Sequence, residues 1–276
     1  MTAISVYFKI EKLDSNDNVI AELTPKLVDG EVKVTYSDIN RRTCNFSLLE
    51  ALPSDWMSAR WKLYYGTMLS TGLIQYQPLG VFIPLNPEEQ EVDGGYITKY
   101  QGVDKAQILS DAYNSIPTTF LAGTSLKEVA TTIFGLIPET KLNLEDVPYV
   151  LATDFTFDEG ITLEHILSTL VRSFPADWYY DVNGYAVLES LPIAESRPVK
   201  YTFEENDDSI FINSTKSVNT SKYWNRVIVI GGTTSTGIFR QDYHSDEQYA
   251  IAGRWITKNF KEDAATSQAQ VNDLAT

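Results

Sequence analysis

The chain of 276 residues has a single cysteine, Cys44, and two histidines. One thiol cannot close an internal disulfide, and so few Cys and His leave no framework for a structural zinc site. No apolar stretch reaches the ~20 residues that a membrane-spanning helix needs. MTAISVYFKI lacks a basic segment followed by an apolar core, so no signal peptide is expected and synthesis in a reducing cytoplasm is. Gly at 15 and Pro at 11 exclude collagen-like and low-complexity chains. Basic residues are short as well: Lys+Arg 22 stand against Asp+Glu 37, a formal net charge of −15. Such a surface repels phosphate backbones and anionic leaflets, which argues against tight nucleic-acid binding and against a membrane role. The acidity serves either solubility or a surface to which a polyanion must not adhere, and composition does not separate the two.

What the chain has in quantity is aromatic and β-branched residues, with 16 Tyr and 5 Trp, a composition that favours strands. Ile4, Val6, Phe8 and Ile10 alternate with Ser5, Tyr7 and Lys9, the period of a half-buried strand. The polar turn 14–18 then leads into Val19–Leu23 as an opening hairpin. The same period recurs at Val32, Val34 and Tyr36, at Phe46 and Leu48, and at Trp61, Leu63 and Tyr65. Leu79–Pro84, bracketed by prolines, suits an edge strand or a strand end. Tyr96, Thr98 and Tyr100 close the region. Residues 1–104 are expected to form an N-terminal antiparallel domain, a small barrel or sandwich.

After Asp104 the period changes. Lys105–Tyr113 reads as a short helix. Ser125-Leu126-Lys127-Glu128 is a capping box, in which Ser125 accepts from the Glu128 amide and Glu128 reaches back. Leu126, Val129, Ile133 and Phe134 continue it as a helical stripe. Thr162 caps a clearer helix whose Leu163, Ile166, Leu167, Leu170, Val171 and Phe174 make one apolar face, with Pro175 as its stop. Trp178–Val182 and Tyr185–Leu188 flank Asn183-Gly184, the signal of a type I′ hairpin. Residues 105–195 read as an α+β domain. Pro192, Glu195 and Pro198 mark a linker, beyond which Val199–Phe203, Ile210–Asn213, Val227–Ile230, Ile238–Tyr243 and Tyr249–Trp255 read as strands, with an Ala-rich helix from Lys261. Residues 196–276 are expected to be a second barrel-like domain with a C-terminal helix. The fold class is therefore mainly β with an α+β insertion: two small antiparallel β-barrel-like domains flanking an α+β domain.

The residues that could carry chemistry each miss a geometric requirement. His165 lies about 200° round its helix from Leu163, opposite the apolar stripe, as a solvated residue does. His244 adjoins Ser245 and Asp246, but immediate neighbours cannot line up as nucleophile, base and orienter. Neither histidine has HExxH or HxH spacing. Asp154, Asp158 and Glu159 precede a helix, where acids favour the positive end of the dipole. Glu204, Glu205, Asp207 and Asp208 read as a solvated loop, not as a glycosidase pair or metal site. Asp14-x-Asn16-x-Asn18 imitates the first ligands of a calcium loop, yet Val19 stands where that loop needs Gly and Pro25 where it needs an acid, so it is a turn. Gly232 and Gly237 have G-x-x-x-x-G spacing, but Ile238-Phe239-Arg240 follow in place of a Lys and Ser/Thr opening a helix. GGTTSTG is a hairpin loop. Cys44, inside a strand pattern, reads as a small core residue. No catalytic, cofactor-binding or metal-ligating residue is expected, and no cofactor.

Several segments, in order, carry a resemblance. They are Gln77-Pro78-Leu79-Gly80-Val81-Phe82-Ile83-Pro84, Tyr100-Gln101-Gly102-Val103-Asp104, and Phe157-Asp158-Glu159-Gly160 with Thr162-Leu163. Further along come Asp181-Val182-Asn183-Gly184-Tyr185 and Tyr223-Trp224-Asn225-Arg226-Val227-Ile228-Val229-Ile230-Gly231. The order and spacing of these segments across residues 60–260 resemble the hub protein of phage tail baseplates and its relatives among the tail-associated proteins of non-contractile tails. Such proteins often continue into further domains, whereas this sequence ends in an expected helix. The resemblance implies a homotrimer in which two tube-like barrels per subunit make a pseudo-sixfold ring. That ring would sit at the virion tail tip, beneath the tail tube or distal tail protein, carry a spike or fibre below, and form a DNA conduit. A tail-associated cell-wall hydrolase and a glycan-binding adhesin, with exposed Trp and Tyr as a sugar platform, are the alternatives.

Overall fold

The computed structural model describes residues 6–191 apart from 37, 70 and 138, and residues 223–275 apart from 235, 236, 263, 264 and 266. The alternating N-terminal region forms β1 (Val6–Leu13), β2 (Val19–Glu22), β3 (Leu27–Val34), β4 (Arg42–Leu48), β5 (Arg60–Met68), β6 (Ile74–Pro84), β7 (Glu88–Val92) and β8 (Gly95–Asp104). They make one sheet in the order β2-β1-β5-β6-β8-β4-β3, with β7 also on β8, and every pairing is antiparallel. Ile10, Phe46, Trp61, Phe82 and Tyr100 from five of these strands meet in one buried cluster, and Ala21, Leu27 and Val32 from the two ends of the order pack on it. The sheet therefore wraps round its core. It does not close into a barrel: β2 and β3 end the order and are linked only by the 3₁₀ turn Thr24–Lys26.

The prolines of β6 do not make it an edge. β5 pairs along most of its length and β8 pairs with Phe82–Pro84, while Pro78 sits beside a register shift. A bulge there tolerates the missing N–H. β7, which no alternation announces, is a strand of Glu88, Glu89, Gln90, Glu91 and Val92 that pairs on one side only. Charge on an edge deters further pairing.

Next come α1 (Ala106–Asp111), β9 (Thr118–Phe120), α2 (Leu126–Leu136), β10 (Leu142–Leu144), β11 (Phe155–Phe157), α3 (Leu163–Arg172), β12 (Ala176–Tyr180) and β13 (Ala186–Ser190). The capping box forms as expected: Ser125 Oγ accepts from the Glu128 amide at 3.2 Å, and Glu128 Oε2 accepts from the Ser125 amide at 2.8 Å. Thr162 Oγ1 likewise accepts from the His165 amide and caps α3. Leu163, Ile166, Leu167, Leu170 and Val171 are buried against Phe134 of α2 and Trp178, Tyr180 and Leu188 of the β10-β13-β12 sheet. The hairpin at Asn183-Gly184 is present, but not as a type I′ turn. Only Gly184 has a positive φ, at 80°, and its amide donates to Asp181 O, so a type I turn is followed by one left-handed residue.

The last part contains β14 (Arg226–Thr234), β15 (Gly237–His244), α4 (Asp246–Ala252), β16 (Thr257–Glu262) and α5 (Gln268–Ala275). β14 and β15 pair antiparallel around the GGTTSTG loop, and β16 runs parallel on the other side of β14. Val229, Val271 and Ala275 form a small core beneath α5. Tyr249–Trp255, expected as a strand, is mostly the helix α4. Ser245 caps it by accepting from the Gln248 amide, Asp246 and Glu247 lie in its first turn, and Gly253 ends it at φ 67°. Those local signals outweigh the aromatic content. The Ala-rich helix begins at Gln268 and not near Lys261, because β16 occupies that stretch. The expected strands Val199–Phe203 and Ile210–Asn213 lie outside the described residues. The described part of residues 196–276 is a three-stranded sheet with two helices, not a barrel.

Truncation of Leu167 or Leu170 to Ala is expected to cost about 2–5 kcal/mol, as for fully buried leucines. His165→Ala, on the exposed face of the same helix, is expected to cost under about 0.5 kcal/mol. Chemical denaturation of the three variants checks this ordering.

Candidate functional site

Among the described residues the most concentrated chemistry lies where the first sheet meets the α3–β12–β13 unit. Two hairpin loops face each other there, and they share one design. In the loop joining β1 and β2, the Asp17 amide donates to Asp14 O, and Asp14 Oδ1 accepts from the amides of Asn16 at 2.8 Å and Asn18 at 2.9 Å. In the loop joining β12 and β13, the Gly184 amide donates to Asp181 O, and Asp181 Oδ1 accepts from the amides of Asn183 at 2.8 Å and Tyr185 at 2.9 Å. The two sequences are Asp14-Ser15-Asn16-Asp17-Asn18 and Asp181-Val182-Asn183-Gly184-Tyr185. The first imitates a calcium loop only because an Asx turn wants the same spacing of short polar side chains.

The loops differ at the left-handed position, and the difference is chemical. Gly184 takes it in the second, where an added Cβ would stand 3.1 Å from Val81 Cγ2 and 3.3 Å from Asp17 Oδ2. Asp17 takes it in the first, at φ 62°, the one non-glycine residue with positive φ among those described. Asp tolerates that region better than most residues, and here its carboxylate turns inward.

That carboxylate is the centre of a buried ion cluster. Arg60 Nη1 donates to Asp17 Oδ1 at 2.5 Å, and Lys105 Nζ donates to Asp17 Oδ2 at 2.8 Å. Lys105 also donates to Gly184 O at 2.9 Å and pairs with Glu139 Oε2 at 2.7 Å, so its three protons reach three acceptors. The side chain of Lys105 is 0% exposed and that of Asp17 1%. Lys141 Nζ stands 3.5 Å from Asp17 Oδ2, and the Tyr180 hydroxyl donates to Glu139 Oε2 at 3.1 Å beneath the Lys105 ammonium. Burial alone pushes the Asp17 carboxyl up, but the bonds from Lys105 and Arg60 outweigh it and hold it below the usual range. Burial, then the charge of Glu139, pushes the Tyr180 hydroxyl well above its ordinary value.

The seam continues on both sides. Arg42 Nη1 donates to Tyr180 O at 2.6 Å, and Lys62 Nζ to Asn183 Oδ1 at 3.2 Å. Arg41 lies between the rings of Tyr36 and Tyr179, 4.5 Å from each centroid, and pairs with Asp177, which also accepts from the Tyr36 hydroxyl. Beyond Arg41 opens a cleft of about 540 Å³ between Tyr36, the α3–β12 junction and α5, and neither histidine nor Cys44 lines it.

The residues weighed from sequence are scattered. His165 is exposed on α3, and His244 Nδ1 stands 3.8 Å from Asp242, whose carboxylate Arg226 holds. Ser245 is spent on the cap of α4. Asp154 Oδ1 accepts from the Ala122 amide at 2.7 Å, and Asp158 and Glu159 are exposed. Cys44 is buried, and burial pushes its thiol far above the ordinary range. Glu204, Glu205, Asp207 and Asp208 lie outside the described residues. Among the described residues no three His, Cys, Asp or Glu side chains gather as metal ligands would. The seam itself escaped the sequence reading. Its legible trace was the repeated Asp-x-Asn-x-x pattern with Asp17 in the place of Gly184.

Over 98% of this chain and 75% of the other, the structure matches the tail protein from Neisseria meningitidis MC58, with a TM-score of 0.66 at 12% identity. It also matches the 43 kDa tail protein of prophage MuSo2 from Shewanella oneidensis, with a TM-score of 0.59 at 10% identity over 97% of this chain and 76% of that one. The chain has the fold of phage tail proteins. The same tail-protein fold extends to prophage tail protein gp18 from Listeria monocytogenes, with a TM-score of 0.57 at 12% identity over 96% of this chain and 76% of that one. By sequence, no family model and no curated protein matches. In this tail-protein fold the paired loops and Lys105 join the first sheet to the α3–β12–β13 unit.

Asp17→Asn keeps a residue suited to the left-handed position but removes the charge shared by Lys105 and Arg60. It is expected to cost about 3 kcal/mol or more at pH 7, the cost of unpairing a buried ion. An acid held low in the fold stabilises fully above its unfolded value, about 3.9, and loses that contribution as pH falls through the folded value. The stability gap between wild type and Asp17→Asn should therefore be full at pH 7 and narrower at pH 3, which urea denaturation at the two pH values measures. Gly184→Val, which combines positive φ with the Val81 contact, is expected to cost about 1–3 kcal/mol, read as a lowered Tm.

Proposed function

We propose that this protein is a structural subunit of a phage or phage-like tail tip, the baseplate hub, acting as a scaffold without turnover. The observation that carries the reading is the tail-protein fold extending over nearly the whole chain. In this reading the chain divides at about 104 and 195 into three domains. The three separate apolar clusters in the described residues support that division. Three subunits assemble as a ring, the tail tube or distal tail protein binds one face, a spike or fibre binds the other, and DNA passes through the middle. A net charge of −15 per subunit suits a conduit that a polyanion must cross without adhering.

Ring closure brings three copies of like charge together, so association is expected to strengthen as salt rises. Screening at 0.15 M already weakens repulsion beyond ~8 Å. Light scattering across a salt series should give a trimer at high ionic strength, and an electrophoretic assay should give no tight DNA binding. A dimer at every salt concentration, or tight DNA binding, would overturn the hub reading. Peptidoglycan turnover that disappears in the His165→Ala, His244→Ala double variant would overturn the scaffold.

A further inference from the structure

In a chain with 37 acidic and 22 basic residues, positions 63–87 contain no Asp, Glu, Lys, Arg or His, the longest such run it has. The run covers most of β5, all of β6 and the turn between them. The pairing continues to Thr67–Gln75 and Met68–Ile74, and the Leu69 amide donates to Leu73 O at 2.8 Å. The end is apolar and open to solvent. Leu73 is 68% exposed, Met68 48% and Leu69 43%, and Phe8 on the adjoining β1 adds a ring 47% exposed, set edge-on to Tyr65. Lys9, whose ammonium lies 5.2 Å from the Tyr64 ring centroid, is taken up by Glu11 at 2.6 Å.

An exposed apolar surface that holds aromatic residues and Met and no charged side chain has the composition of the centre of a protein interface. Charge selects the occupant. A basic partner would be drawn to the acidic faces and would gain nothing from a neutral hairpin. A partner that is itself acidic meets least repulsion where this chain carries no acidic side chain, and a second copy, at −15, is such a partner. We infer that the tip of the β5–β6 hairpin, with Phe8, is the contact through which one copy of this chain seats on another. The inference rests on the reading of the chain as a multi-copy subunit and names the surface that joins the copies.

Sedimentation velocity of the full chain at raised salt tests it, comparing wild type with Leu73→Glu and with Leu136→Glu. Leu136 on α2 is 59% exposed and lies outside the hairpin, so the second variant adds the same charge at a comparable leucine elsewhere. Leu73→Glu is expected to weaken association at least tenfold with an unchanged thermal melt, and Leu136→Glu to leave it within about twofold. Association equal in Leu73→Glu and wild type overturns the hairpin contact and leaves the hub reading standing. Equal weakening by both variants also overturns it, since added charge alone would then be the cause. A wild type that is monomeric at every concentration and salt overturns both readings. One that is monomeric yet co-sediments with phosphatidylcholine vesicles through Leu73 assigns the tip to lipid and overturns the inference.

Discussion

The ammonium group of Lys105 sets how the first sheet sits on the α3–β12–β13 unit. Burying a cation is costly unless every proton finds an acceptor, and here the acceptors come from three places: the β1–β2 loop, the β12–β13 loop and Glu139 after α2. Displacing any one of them leaves a proton of a buried ammonium without its acceptor. Lys105 stands where the chain leaves β8 for α1, and its neighbour Asp104 accepts from the amides of Ala106 and Arg42. The point at which the strand pattern gives way to helices is thus the point at which the two parts are held together.

Buried ion clusters contribute little net stability compared with apolar substitutes of the same shape. The role we assign to this one is orientational. Two hydrophobic surfaces can be stacked in many ways at similar cost, but only one arrangement brings Asp17, Gly184 O and Glu139 to a single ammonium. The matched loops make that arrangement rigid, since Asp14 and Asp181 each tie two amides of their own loop. Arg41, held between two tyrosine rings, repeats the device further along the seam.

The period-two strands up to residue 104, the capping box at Ser125 and the apolar stripe of α3 were legible because each is a local pattern with its own cause. β7 was not, since an exposed edge strand of glutamates has no buried face to produce alternation. α4 reads as a strand because Tyr249, Ile251 and Trp255 alternate like one, while the caps at Ser245 and Gly253 that decide the matter are single residues. The turn at Asn183-Gly184 is legible in place but not in type, because Asp181 supplies the side-chain bonds that favour a longer loop. Asp17 reads as part of a turn, which it is. Its inward carboxylate depends on Arg60, Lys105 and Lys141, partners that no local pattern could bring to it.

Cys44 is the only thiol in the sequence, and it is sealed within the first core. Gly102 on the neighbouring strand makes the room for it, as a Cβ there would fall 2.8 Å from its sulfur. With its thiol kept protonated by burial, Cys44 is shielded from alkylating reagents while the protein is folded. A cysteine introduced at the surface would therefore take up a maleimide dye or spin label alone, without removal of the native residue. The protein is already suited to site-specific labelling, and distances between copies in an assembled particle can be measured on the otherwise unaltered chain.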